Sequence, residues 1–230
     1  MILADALAGY EKELGAVGEE PEALSFVYRG LKHWDLTQFV LHLRQEVSEE
    51  DEKLLSSIFN QLKAHKPAQY ILGFEDFHGL RFQVDERVLI PRPETEELVE
   101  LILAEYPKTE LKVLDIGTGS GAIAVSLKES CPLWQVTASD LSVDALELAR
   151  ENAKLNQVDI SFIQSDVFEV ISDSFDIIVS NPPYISENDK DEVGLNVLAS
   201  EPKMALFADE DGLAIYRQII ERAAKHLSPQ

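Results

Sequence analysis

Three glycines in five residues, Gly117, Gly119 and Gly121, lie in the segment Asp115-Ile116-Gly117-Thr118-Gly119-Ser120-Gly121, after an apolar run and before a helical one. Glycine lets backbone pass close to a ligand, and the start of a helix offers unpaired N–H groups, so the loop suits a nucleoside cofactor along Gly117, Thr118, Gly119, Ser120 and Gly121. Gly117, Gly119 and Ala122 also satisfy the looser dinucleotide pattern, with Asp140 about 20 residues on to hold a ribose. Two features point instead to S-adenosyl-L-methionine, with S-adenosyl-L-homocysteine as product. Asp115 ends its strand as an acceptor that would orient the loop and the ligand's amino-acid moiety, where a pyrophosphate would be repelled. Asp140 and Asp166 end the next two strands, one suited to ribose hydroxyls and the other to the adenine amino group, although each alone is equally a helix N-cap.

A second chemical signal is Asn181-Pro182-Pro183-Tyr184, again after a strand-like run. The Asn181 amide and the Pro182 carbonyl, stiffened by the prolines, can face one point and accept hydrogen bonds from a planar amide or amino group. Tyr184 offers a ring on which that group stacks, close to a sulfonium. Alone, such a tetrapeptide is as readily a stiff turn with a core tyrosine; beside the glycine loop it reads as the place of reaction. No dedicated base is evident, since none of His33, His42, His65, His78 or His226 adjoins a motif, and no metal is expected.

The elements that must position these residues alternate. Lys112–Ile116, Gln135–Ser139, Ile160–Gln164 and Phe175–Ser180 read as strands, with helices over Ala122–Glu129 and Val143–Leu155, which implies an α/β domain with a parallel sheet. Residues 1–68 lack strand-like runs and read as a small all-α domain, in which Ser48 and Asp51 suggest a capping box, Leu54, Leu55, Ile58, Phe59 and Leu62 recur on one helical face, and Pro67 closes the helix. Residues 69–90 read as a β-hairpin linker and 91–230 as the catalytic domain.

Composition narrows the partners. Twenty Lys and Arg against 42 Asp and Glu give a formal charge of -22, which disfavours nucleic acid and anionic membrane surfaces. The one cysteine, Cys131, allows no intramolecular disulfide and suits a reducing compartment. Met1–Glu13 has no signal-peptide pattern, and no run approaches the roughly 20 apolar residues of a membrane span, so the expected location is the cytoplasm.

The glycine loop with Asn181–Tyr184 resembles class I methyltransferases acting on a planar nitrogen. Gln69–Gly73, Val88–Glu96 with its Ile-Pro-Arg-Pro-Glu-Thr-Glu core, Glu201-Pro202, Ala205-Leu206-Phe207 and Asp211-Gly212-Leu213 further resemble the HemK-type peptide chain release factor N5-glutamine methyltransferases, over nearly the whole chain. The resemblance implies a Rossmann-like fold and, as substrate and partner, the Gly-Gly-Gln glutamine of class 1 release factors. It places that amide between Asn181 and Pro182, lined by Pro183 and Tyr184, and cofactor contacts at Gly117–Gly121, Asp140, Phe168 and Asn181. Arg92 lies in a family motif without a role that its chemistry declares. The nearest rivals are N-methylation of a ribosomal-protein glutamine or of adenine in nucleic acid; a non-catalytic cofactor binder and an NAD dehydrogenase stand further off.

The family's sheet implies seven strands, whereas four are legible here. The chain is therefore expected to be truncated at its C-terminus, with the last strands missing. The strand before Asn181 would then be a bare edge prone to pair between molecules of an otherwise monomeric protein, and 186–200 would be mobile.

Overall fold

The computed structural model describes residues 1–106 and 109–229; Gln230, the last residue of the expected catalytic domain, lies outside them. The chain divides into one unit of Met1–Gly73 with Gly194–Ser200 and a second of Phe74–Val193 with Glu201 onward.

The first unit is helical: α1 Leu3–Ala16, α2 Ala23–Leu31, α3 Leu36–His42, α4 Glu49–Lys63 and α5 Ala68–Leu72. Leu55, Ile58, Phe59 and Leu62 form the buried stripe of α4 and meet Leu7, Leu14, Leu24 and Val27 in one apolar cluster. Ser48 does cap α4 by accepting the Asp51 N–H, but its hydroxyl donates back to the Asp51 carboxylate. The short aspartate thus closes on the serine side chain, whereas a full capping box needs a side chain that reaches the cap's backbone N–H. Asp35 and Gln38 make the complete, reciprocal box at α3. Trp34 stacks on His42 with ring centroids 4.0 Å apart and meets Tyr28 edge-on. Pro67 opens α5 instead of closing α4, its fixed φ suiting a helix start, and Gly73 at φ +79° ends α5 in the left-handed region.

The second unit starts with an antiparallel hairpin, β1 Phe74–Phe77 and β2 Leu80–Gln83, followed after an irregular stretch by α6 Glu94–Glu105. Then come β3 Lys112–Ile116, α7 Ala122–Ser130, β4 Gln135–Asp140, α8 Val143–Leu155, β5 Ser161–Gln164 and β6 Ile177–Ser180. These four strands make a parallel sheet in the order β5-β4-β3-β6. Its centre, β3, is buried at Val113–Ile116, as expected of a strand covered on both faces. Val113, Val125, Leu127, Trp134 and Val136 pack on one side, and Leu114, Ile116, Phe168 and Phe175 on the other. Trp134 has no solvent exposure.

Among the described residues β6 has no strand on its outer side. Its approach is nonetheless held: the Phe175 N–H donates to His226 O and the Ser228 N–H to Phe175 O. The stretch 186–200, expected mobile, carries a 3-10 helix at Glu187–Glu192 and α9 at Leu195–Ser200, the latter in the first unit. Finally α10, Lys203–Leu206, and α11, Ala214–Ala223, follow, and Ile215, Ile219 and Ala223 of α11 pack against the Phe168 cluster. No described helix is long and apolar enough to cross a membrane.

Candidate active site

Register brings the chemistry to one level. Ile116 at the end of β3 lies opposite Ser139 on β4 and Ser180 on β6, and Asp140 lies opposite Gln164 on β5. The residues that follow, Gly117, Asp140 to Ser142, Asn181 and Ser165 to Asp166, therefore leave the sheet together at its carboxyl edge, where open α/β sheets bind ligands. They border a cavity of about 180 Å³ walled by Ile90, Pro91, Ile123, Val167, Pro182 and Ile215, among others.

The glycine loop is tied to its neighbour strand. The Gly117 and Thr118 N–H groups both donate to Ser139 O, and the Gly119 N–H donates to Asp140 Oδ2 at 2.9 Å. Gly117 and Gly119 have φ of +69° and +54°, and a Cβ on either would point into open space. Any side chain would both strain the turn and fill the cradle in front of α7. Gly121, at φ +83°, shares that backbone requirement, and a Cβ there would in addition press on Ala149 of α8 at 3.2 Å. The floor, the helix start and the apolar walls fit a nucleoside cofactor.

The carboxylates play unequal parts. Asp140 lines the cavity, its oxygens receiving the Gly119 and Ser142 N–H groups and keeping lone pairs for a ligand. Burial raises its pKa, and the same backbone donors oppose the rise. Asp166 lines the cavity from an exposed position. Asp115 stands behind the loop, fully buried, receiving the Thr118 hydroxyl at 2.6 Å while its Oδ1 accepts no hydrogen bond of good geometry. Burial pushes its pKa up to about 7, with the Asp140 charge adding to the effect and Thr118 and the Ala124 N–H opposing it. It braces the loop from beneath and does not line the cavity. Phe168 also departs from expectation: its side chain is 1% exposed in the apolar cluster and stacks on His226 at 4.4 Å, so it supports the site from the core. His226, far from every motif in sequence, is thus one of its neighbours.

On the opposite side, Asn181, Pro182 and Pro183 line the cavity, whereas Tyr184 is 59% exposed and outside it. The Asn181 Nδ2 donates to Thr95 Oγ1 at 3.1 Å, leaving Oδ1 without a hydrogen-bond partner among the described residues. Residues beyond Asn181 are pinned from the C-terminal segments. The Ile185 N–H donates to Leu206 O and the Ala208 N–H to Ile185 O, and Gly212 at φ +83° packs so closely that a Cβ would stand 2.1 Å from Tyr184 O.

Two residues hold the cavity together through partners that the sequence did not name. Glu201, side chain 1% exposed, receives the Arg92 guanidinium at 2.7 Å and the Ile90 N–H at 3.1 Å, clamping two cavity-lining segments. This gives Arg92 its role. Asn152 of α8, with no exposure, receives the Gln83 N–H and donates to Gln83 O and Ser120 O, joining the edge of β2 to the glycine loop. Glu201 stood in a family motif without a partner and Asn152 in no motif, because both act across more than thirty residues.

Residues 5–73 match the PrmC N-terminal domain family and residues 94–209 the methyltransferase small domain family. The release factor glutamine methyltransferase of Streptococcus pneumoniae is 61% identical over 228 residues, covering 99% of this chain and 82% of its own. That of Lactococcus lactis is 51% identical over 217 residues, covering 94% and 80%.

Proposed function

The chain belongs to the release factor glutamine methyltransferase family, and from that premise we propose how its cavity methylates the side-chain amide nitrogen of the Gly-Gly-Gln glutamine in class 1 release factors. When bound, S-adenosylmethionine supplies an electrophilic methyl group and departs as S-adenosylhomocysteine. The carrying observation is that Asn181 and Pro182 share one cavity with the glycine loop and Asp140.

We assign Gly117–Gly121 to the amino-acid end of the cofactor, Asp140 to the ribose hydroxyls and Asp166 to the adenine edge. Asn181 Oδ1 and the Pro182 carbonyl would accept the two N–H groups of the substrate amide. An amide nitrogen is a poor nucleophile because its lone pair is delocalised, so alignment must supply much of the rate. As the nitrogen forms its bond to carbon it gains positive charge, its N–H groups become stronger donors, and the two fixed oxygens hold them more tightly than in the ground state. The surplus proton then leaves to water. Tyr184, exposed beside this point, is suited to close over the glutamine side chain once substrate arrives. The helical unit, lacking any glycine loop or strand-end carboxylate, is assigned to recognition of the protein substrate.

Mass spectrometry of purified release factors after incubation with the protein and cofactor tests the reading. A single added methyl group on the Gly-Gly-Gln glutamine is expected. Methylation of a ribosomal-protein glutamine, with the release factor untouched, would replace it.

A further inference from the structure

Asn181 has two chemically opposite ends, and rotating its terminal amide by half a turn exchanges an acceptor for a donor. Only one orientation presents an oxygen to the substrate N–H groups. We propose that Thr95 holds the amide in the orientation seen, in which its Oγ1 accepts the Asn181 Nδ2–H at 3.1 Å and Oδ1 is left for the substrate. The proposal rests on the reading of Asn181 given above and deepens it.

The position of Thr95 is itself determined. It lies in the first turn of α6, 86 residues before Asn181, and both side chains border the cavity and are half-buried. Its N–H donates to Arg92 O at 2.9 Å, closing a tight turn. Arg92 is in turn fixed by Glu201, which also holds the Ile90 N–H. A chain of contacts thus runs from a buried carboxylate through the Pro-Arg-Pro turn to one hydroxyl, and ends on the amide whose direction decides whether the substrate is received or refused. Without the hydroxyl, Nδ2 would lose its acceptor and the amide could rotate, presenting a donor to a donor. Thr95 is a positioning residue in this scheme, acting through Asn181.

The test compares Thr95→Val, which keeps the branched shape and removes the acceptor, with Thr95→Ser, which keeps the hydroxyl, each alone and the first also combined with Asn181→Ala. Methylation of an intact release factor is measured at saturating cofactor, and cofactor affinity by calorimetry. Thr95→Val is expected to lower kcat by roughly tenfold, the scale of one well-placed hydrogen bond, with cofactor affinity unchanged. Thr95→Ser should restore most of it. In the Asn181→Ala background Thr95→Val should cost nothing further, because the hydroxyl would have nothing left to orient. Full activity of Thr95→Val, an equal loss in both backgrounds, or a parallel loss of cofactor affinity would each overturn the proposal. An inactive wild-type protein would instead overturn the substrate reading and this proposal with it.

Discussion

The two sides of the cavity are built by different means. On the cofactor side the glycine loop, Ser139, Asp140 and Ser142 hold one another across short stretches of chain, through backbone N–H groups on strand-end acceptors. On the substrate side Asn181 depends on Thr95, 86 residues away, and Ile90 and Arg92 depend on Glu201, 111 and 109 residues away. A loop that closes on itself can form as soon as two neighbouring strands pair. A slot assembled from distant segments forms only when the whole unit has folded, so substrate positioning should be the first capacity to fail under local damage while cofactor binding persists.

Asn181→Ala gives the widest separation of the two. Removing an oxygen that meets the transition state should lower methyl transfer by about 100-fold or more, with cofactor affinity changed little, as isothermal calorimetry beside a radiolabelled transfer assay would show. Equal losses would make Asn181 a cofactor residue and erase the contrast. Asp140→Ala should do the reverse, weakening cofactor binding by about 1 to 3 kcal/mol for lost charged hydrogen bonds. Unchanged affinity would take Asp140 out of the site. Glu201→Ala leaves the Ile90 N–H and Arg92 without their shared acceptor; thermal unfolding should reveal a loss of about 1 to 2 kcal/mol, and kcat should fall more than cofactor affinity. A drop confined to cofactor affinity would contradict the division.

A further effect concerns pH. The Asp115 carboxyl titrates near its ordinary 3.8 when unfolded and at about 7 when folded, so between these values the native chain keeps a proton that the unfolded chain has lost. Its contribution to stability is therefore full below 3.8, declines as pH rises, and is spent above about 7. Asp115→Asn should make the cofactor-free protein lose less stability between pH 4 and 7 than the wild type does. The residual slope belongs partly to Asp140, whose pKa is also raised by burial. An unaltered slope would show that Asp115 is already ionised throughout that range.

Legibility follows the same division. The bounds of β3 at Lys112–Ile116 and of α8 at Val143–Leu155 are those read from the sequence, because a buried central strand and an amphipathic helix advertise themselves in consecutive residues. The glycine loop and Asn181 likewise stand at strand ends that local pattern reveals. By contrast β6 begins at Ile177, two residues later than its apolar run, since Phe175 spends its backbone groups on His226 and Ser228. Phe168 could be assigned from the family pattern but not located, because burial against His226 depends on a residue near the far end of the chain. Thr95 and Glu201 lie in segments that mark the family but whose chemistry names no partner, and Asn152 is an ordinary polar residue in a helix. Their importance exists only once distant backbone has been brought to them.

The chain's two tryptophans are divided between its units: Trp34 is stacked on a histidine among helices, and Trp134 is sealed beside the parallel sheet. Each unit thus carries its own intrinsic fluorophore, in surroundings different enough to emit differently. Replacing Trp34 by phenylalanine would leave a spectroscopic probe that hears only the cofactor-binding unit, and replacing Trp134 one that hears only the helices. Denaturation followed with the two single-tryptophan proteins would report whether the halves melt as one body or in sequence, without any label being added.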